Sequence, residues 1–168
     1  MTQPIIIETE LNRDTLSEGI RAIMDNVLMV RLTKYLGYAL IAGGILVYVS
    51  IVKLQSYAPL QAVIVGFMFI YFSRIMAYFN LRKIQSDDKV YEPLIYTFDT
   101  AKVVIRGTSF EGYFNWTEVK EVVETEKFFL IYQSTMAASI LPKADFTQEQ
   151  KERFRRLVMN IPGLKHNI

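Results

Sequence analysis

The 168-residue chain contains no cysteine. That excludes disulfides, thiolate metal sites and a cysteine nucleophile. Histidine occurs once, as His166, so a Ser–His–Asp triad or a multi-histidine metal site would rest on the end of the chain. Charge of one sign is also lacking: 19 Lys and Arg stand against 17 Asp and Glu, a net +2. This balance argues against a dedicated nucleic-acid binder. No glycine-rich phosphate loop, nucleotide fingerprint or metal-ligand spacing is present. Neither cofactor, metal nor nucleic acid is therefore expected. Apolar residues are plentiful: the mean hydropathy of +0.19 is high for a soluble domain, and the excess is concentrated in one region.

Tyr35 to Val52 is 18 residues without a charge, Leu54 to Ser73 is another 20, and only Lys53 separates them. A helix crosses a bilayer with about 20 apolar residues, and roughly 17–25 suffice. The reading is a two-helix transmembrane hairpin over 35–73, with Pro59 suited to the first turn of the second helix. The first span follows Glu8, Glu10, Asp14 and Glu18, which is unlike a cleaved signal peptide. Arg21, Arg31 and Lys34 lie before the hairpin and Arg74, Arg82, Lys83 and Lys89 after it. Seven basic residues against Lys53 place both termini in the cytoplasm of a multi-pass plasma (inner) membrane protein. Ala39 and Gly43, and likewise Ala58, Ala62 and Gly66, recur at intervals of four, spacing that lets helix backbones approach, within the hairpin or across a dimer. Neither span carries an ionisable residue of the kind that proton relays and ion pathways need.

Residues 1–34 open with a β-prone run, Pro4 to Glu10. Thr15-Leu-Ser-Glu18 has capping-box spacing, and Leu16, Ile20, Ile23, Val27 and Val30 recur behind it at helical intervals. A lone strand leaves its backbone groups unpaired, so it is expected to pair with the sheet beyond the hairpin. Residues 74–92 read as a stalk, in which Arg82 and Lys83 are either a positive-inside flank or a contact to anionic lipid.

From residue 93 to 168 the pattern turns to short strands: Leu94–Asp99, Lys102–Arg106, Ser109–Asn115, Lys120–Glu124, Phe128–Tyr132 and Ala137–Leu141. Pro142 ends the last one. Thr147 to Gln150 caps a helix whose apolar stripe is Phe154, Leu157, Val158 and Ile161, and Pro162-Gly163 stops it. The expected fold is thus a membrane hairpin with a cytoplasmic α+β domain of pleckstrin-homology-like architecture, an antiparallel sheet or half-barrel plus a C-terminal helix.

Glu118, Glu121, Glu124 and Glu126 alternate with Lys120 and Lys127, the look of a solvated sheet face rather than a catalytic pair. The Asp99–Lys102 loop, taken as the join between the first two strands, has one base and one acid, too few donors for firm phosphate capture. Trp116, the sole tryptophan, is either an anchor for a partner peptide or a core residue between sheet and helix.

Leu94-Ile-Tyr-Thr-Phe-Asp99, Trp116-Thr-Glu-Val-Lys-Glu-Val-Val-Glu124, Phe128-Phe-Leu-Ile-Tyr132, Ile140-Leu-Pro-Lys143 and Phe154-Arg155 together resemble the C-terminal domain of the YcxB-like family. The resemblance implies a small bacterial membrane protein with two spans ahead of a strand-rich cytoplasmic domain, and carries over no catalytic residue. The functional expectation is a non-enzymatic, membrane-anchored interaction or regulatory module, its partners the bilayer and either another protein or a second copy. The alternatives are an anionic-lipid sensor and an accessory subunit of a transport or assembly complex. Candidate interaction residues are Trp116, Arg82 and Lys83; candidate helix-packing residues are Ala39, Gly43, Ala62 and Gly66.

Overall fold

The structure, a computed structural model, describes residues 4–50, 58–84, 91–135 and 137–168. The chain divides into two compact units, Met24–Asn80 and Met1–Ile23 with Leu81–Ile168.

The second of these is built from two sheets. Strands β1 (Ile5–Thr9), β2 (Leu94–Phe98), β3 (Lys102–Arg106) and β4 (Glu111–Asn115) form one sheet in that order. Every pairing in it is antiparallel. The N-terminal strand therefore pairs beyond the helical segment as expected, Ile5 opposite Phe98 and Thr9 opposite Leu94. Alternation explains the register: Ile5, Ile7 and Thr9 are buried while Ile6 and Glu8 face out, and a slip of one residue would reverse them.

The other sheet runs β7-β6-β5-β8, with β5 (Glu121–Glu124), β6 (Phe128–Tyr132), β7 (Ala138–Pro142) and β8 (Lys165–Asn167). The strand β8 was not among the strands expected from the sequence. It pairs in parallel with β5, His166 opposite Val122, and Leu164 and Ile168 pack against the core. Three residues are too short for a periodic signal, so only the tertiary pairing reveals this strand.

One core lies between the sheets. Helix α4 (Gln148–Met159) sends Phe154 into it, 4.9 Å between ring centroids from both Phe98 and Phe129. The cap of α4 matches its expectation: Thr147 N–H donates to Gln150 Oε1 at 2.8 Å and Gln150 N–H to Thr147 Oγ1 at 3.2 Å.

All five residues of β6 are buried, because both of its faces are covered. Phe129 and Ile131 face the core. The opposite face receives α1 (Arg13–Asn26): Gly19 lies against Ile140, the Lys127 ammonium meets Glu18 at 2.8 Å, and the Tyr132 hydroxyl donates to the Ile23 carbonyl at 3.3 Å. Leu16, Ile20, Ile23, Val27 and Val30 are all buried, as their spacing implies. The cap of α1 differs from expectation. Asn12 Oδ1, not Thr15, accepts at the helix start, from the Thr15 N–H at 2.7 Å. The helix begins two residues before Thr15, and Glu18 is drawn to Lys127 instead.

The unit Met24–Asn80 contains α2 (Leu28–Ser50) and most of α3 (Ala58–Ile84). Within α2, Val30–Val49 is long and apolar enough to cross a membrane; the apolar stretch of α3 is the shorter Pro59–Phe72. Lys53 and the expected start of the second span at Leu54 lie outside the described residues. The two helices run antiparallel: Gly37 lies by Gly66, and Gly44 by Pro59.

Candidate interaction site

The turn from β2 to β3 and the outer side of α4 flank a groove of about 540 Å³, floored by Ile5, Phe98 and Leu157. The burial of Phe154 and Val158 sets the rotation of α4. Positions 153, 156, 157 and 160 then share the adjoining helical face and reach the groove. The turn is locked from within. The Asp99 carboxylate accepts the Thr100 N–H at 2.7 Å, and the Asp99 carbonyl accepts the Trp116 indole N–H at 2.7 Å. Glu149, Arg153, Arg156 and Asn160 form a mixed polar lip. An apolar floor under a polar rim suits capture of a side chain or short segment.

Beside the core, Glu124 on β5 holds two cations. Arg155 engages it with both Nε (2.9 Å) and Nη2 (2.7 Å), and Lys143 Nζ adds a third contact. Both cations also lie over the Phe129 ring, 5.2 Å and 5.9 Å from its centroid. The Arg155 hydrogen bonds, aided by Lys143, hold the Glu124 carboxyl down to about 2 despite its burial. This corrects the reading of Glu124 as part of a solvated face. Its partners come from the turn after β7 and from α4, far along the chain, and no local signal announces them. Tyr96, enclosed between the sheets, has its phenol pushed up to about 12 by burial, partly offset by a hydrogen bond with Ser139.

Trp116 is 4% exposed, stacked near Phe98 and bonded to Asp99. It is a core residue bracing the groove from behind, and its placement among surface anchors is corrected. Arg82 and Lys83 fall in the last turn of α3, with side chains outside the described residues. The loop taken to join the first two strands joins β2 to β3 instead; the first two strands of the sheet, β1 and β2, are joined through the helical segment.

The four packing candidates divide. A Cβ on Gly66 would stand 2.7 Å from the Gly37 carbonyl oxygen, and Ala62 lies by Gly44. By contrast, Ala39 is exposed, and a Cβ on Gly43 would meet nothing within 4 Å. The close approach on α2 uses Gly37 and Gly44, not Ala39 and Gly43. A period of four selects a face only once the helix's rotation is known.

Residues 98–158 match the family profile described as YcxB-like protein. No curated protein and no solved structure matches the chain.

Proposed function

We propose that this chain, a member of the YcxB-like family by its residues 98–158, is a non-enzymatic interaction module anchored in the bacterial inner membrane. In this reading α2 and α3 are a two-span hairpin, both termini are cytoplasmic, and the groove beside α4 receives a partner protein. The strand-rich unit is pleckstrin-homology-like: two sheets share one core with Phe154 of the closing helix at its centre.

The observation that carries the proposal is the β1–β2 pairing. Adjacent strands of one sheet are joined through a helix long and apolar enough to span a bilayer. A domain so connected cannot leave the membrane without pulling that helix from the lipid, which fits a scaffold held at the membrane surface. The basic flanks support cytoplasmic termini.

The test has two arms. Reporter fusions at either end should report cytoplasm, and the protein should stay in the pellet through a carbonate wash; an external terminus or release by carbonate would overturn the anchoring. Arg156→Glu and Thr100→Arg line the groove without entering the core. They should remove a stoichiometric partner from the native complex while the melting temperature holds. An unchanged complex would overturn the role of the groove.

A further inference from the structure

We propose that the free edge of β4 is a second docking site, one that takes an extended apolar segment of a partner protein as an added strand. The sheet β1–β4 has two edges, and they are treated differently. In an antiparallel ladder, alternate residues turn their N–H and C=O toward a neighbour and away from it. On β1 this leaves Ile6 and Glu8 facing outward, and the Ile6 carbonyl is taken by the Gln150 amide at 3.0 Å. At that edge α4 meets the strand through Gln150.

At β4 the same alternation leaves an open edge. Gly107 N–H bonds the Phe110 carbonyl at 2.8 Å and Trp116 N–H the Ala101 carbonyl at 3.4 Å, so Phe110, Gly112, Phe114 and Trp116 face β3. Glu111, Tyr113 and Asn115 therefore face away. The Asn115 N–H is taken by Glu118 at 3.3 Å, and among the described residues the outward groups of Glu111 and Tyr113 have no partner.

The side chains define the occupant. Gly112 lies on the core-facing side opposite Ile105, yet a Cβ there would meet nothing within 4 Å. Ile105 and Phe114 beside it are only partly buried against the core. This notch is open to a large apolar side chain from an adjacent strand. On the outer face Tyr113 is 69% exposed, with the Lys102 ammonium 5.3 Å from its ring centroid, a surface for an apolar cross-strand neighbour. The edge is five residues, roughly 17 Å of strand. That is too little for the 1,200–2,000 Å² or so that a stable dimer buries. A short linear segment fits it better than a second copy.

The test selects phage-displayed random dodecapeptides on the full-length protein in mild detergent. Binders should share a short run of apolar residues that supplies neighbours to both faces, and adding one should slow amide exchange at Tyr113 at least tenfold. Tyr113→Pro removes an outward N–H, which an edge strand tolerates, and Gly112→Val fills the notch in open space. Each should weaken binding at least tenfold while the melting temperature holds. Unchanged exchange at Tyr113, or binders indifferent to both variants, would overturn the proposal. Binders lost with Arg156→Glu but kept with Gly112→Val would belong to the groove and count against it. Protection of Tyr113 that rises with protein concentration alone would assign the edge to a second copy.

Discussion

Ile7 and Tyr96 face each other across the β1–β2 ladder, with α1, α2 and α3 lying between them in sequence. The four-stranded sheet is complete only when residues on both sides of the helices come together, so the addition of β1 is coupled to the return of the chain after α3. The long-range closure this requires makes the pairing of β1 intrinsically slow compared with that of the β2–β3 hairpin.

The contact of α2 with α3 should depend on two glycines and not on a third. A Cβ at Gly37 or Gly66 would stand 2.7 Å from the opposing carbonyl oxygen, while one at Gly43 meets open space. Gly37→Leu and Gly66→Leu should each lower the melting temperature in detergent and reduce the yield of a disulfide cross-link engineered between the helices. Gly43→Leu should leave both unchanged. Equal effects at all three positions would refute the assigned helix face.

Acid should loosen α4 through Glu124. Its carboxyl is held at about 2 against an ordinary 4.5, so the folded state favours the ionised form. The associated stability is present in full above pH 4.5 and is lost as pH falls toward 2. The shift corresponds to at most about 3 kcal/mol. Glu124→Gln should flatten the stability profile over that interval, measured by urea unfolding between pH 2 and 6, and should lower stability at pH 7.

Trp116→Phe should act on stability alone. It removes the bond to the Asp99 carbonyl and part of a buried ring system. A loss of about 1–3 kcal/mol is expected from an orphaned acceptor and reduced packing. Peptide binding at the β4 edge should survive at temperatures where the variant is folded; direct loss of binding would restore Trp116 as a contact residue.

The strands from Leu94 to Pro142, the burial of Leu16, Ile20 and Ile23, and the cap of α4 were all legible because each is written in a short window of alternating or helical periodicity. The apolar character of Val30–Val49 is likewise a local property, the absence of acidic residues and near-absence of basic ones over a helical length. The need of an isolated strand for backbone partners made even the β1–β2 pairing legible. The candidate sites were less so. Trp116 carries the same signal whether it is buried or exposed, and a four-residue spacing of small side chains marks Ala39 and Gly43 as readily as the face that makes contact.

The amino-acid sequence by itself determined the kinds of element, their order and the stretch suited to lipid, since these follow from neighbours within a few residues. Tertiary structure alone decided that Glu124 would gather Lys143 and Arg155, that the last residues would become β8, and that Gln150 of α4 would reach the outer edge of β1 at the Ile6 carbonyl. Each of those outcomes depends on groups distant in sequence meeting at hydrogen-bonding distance, and no local pattern encodes such a meeting.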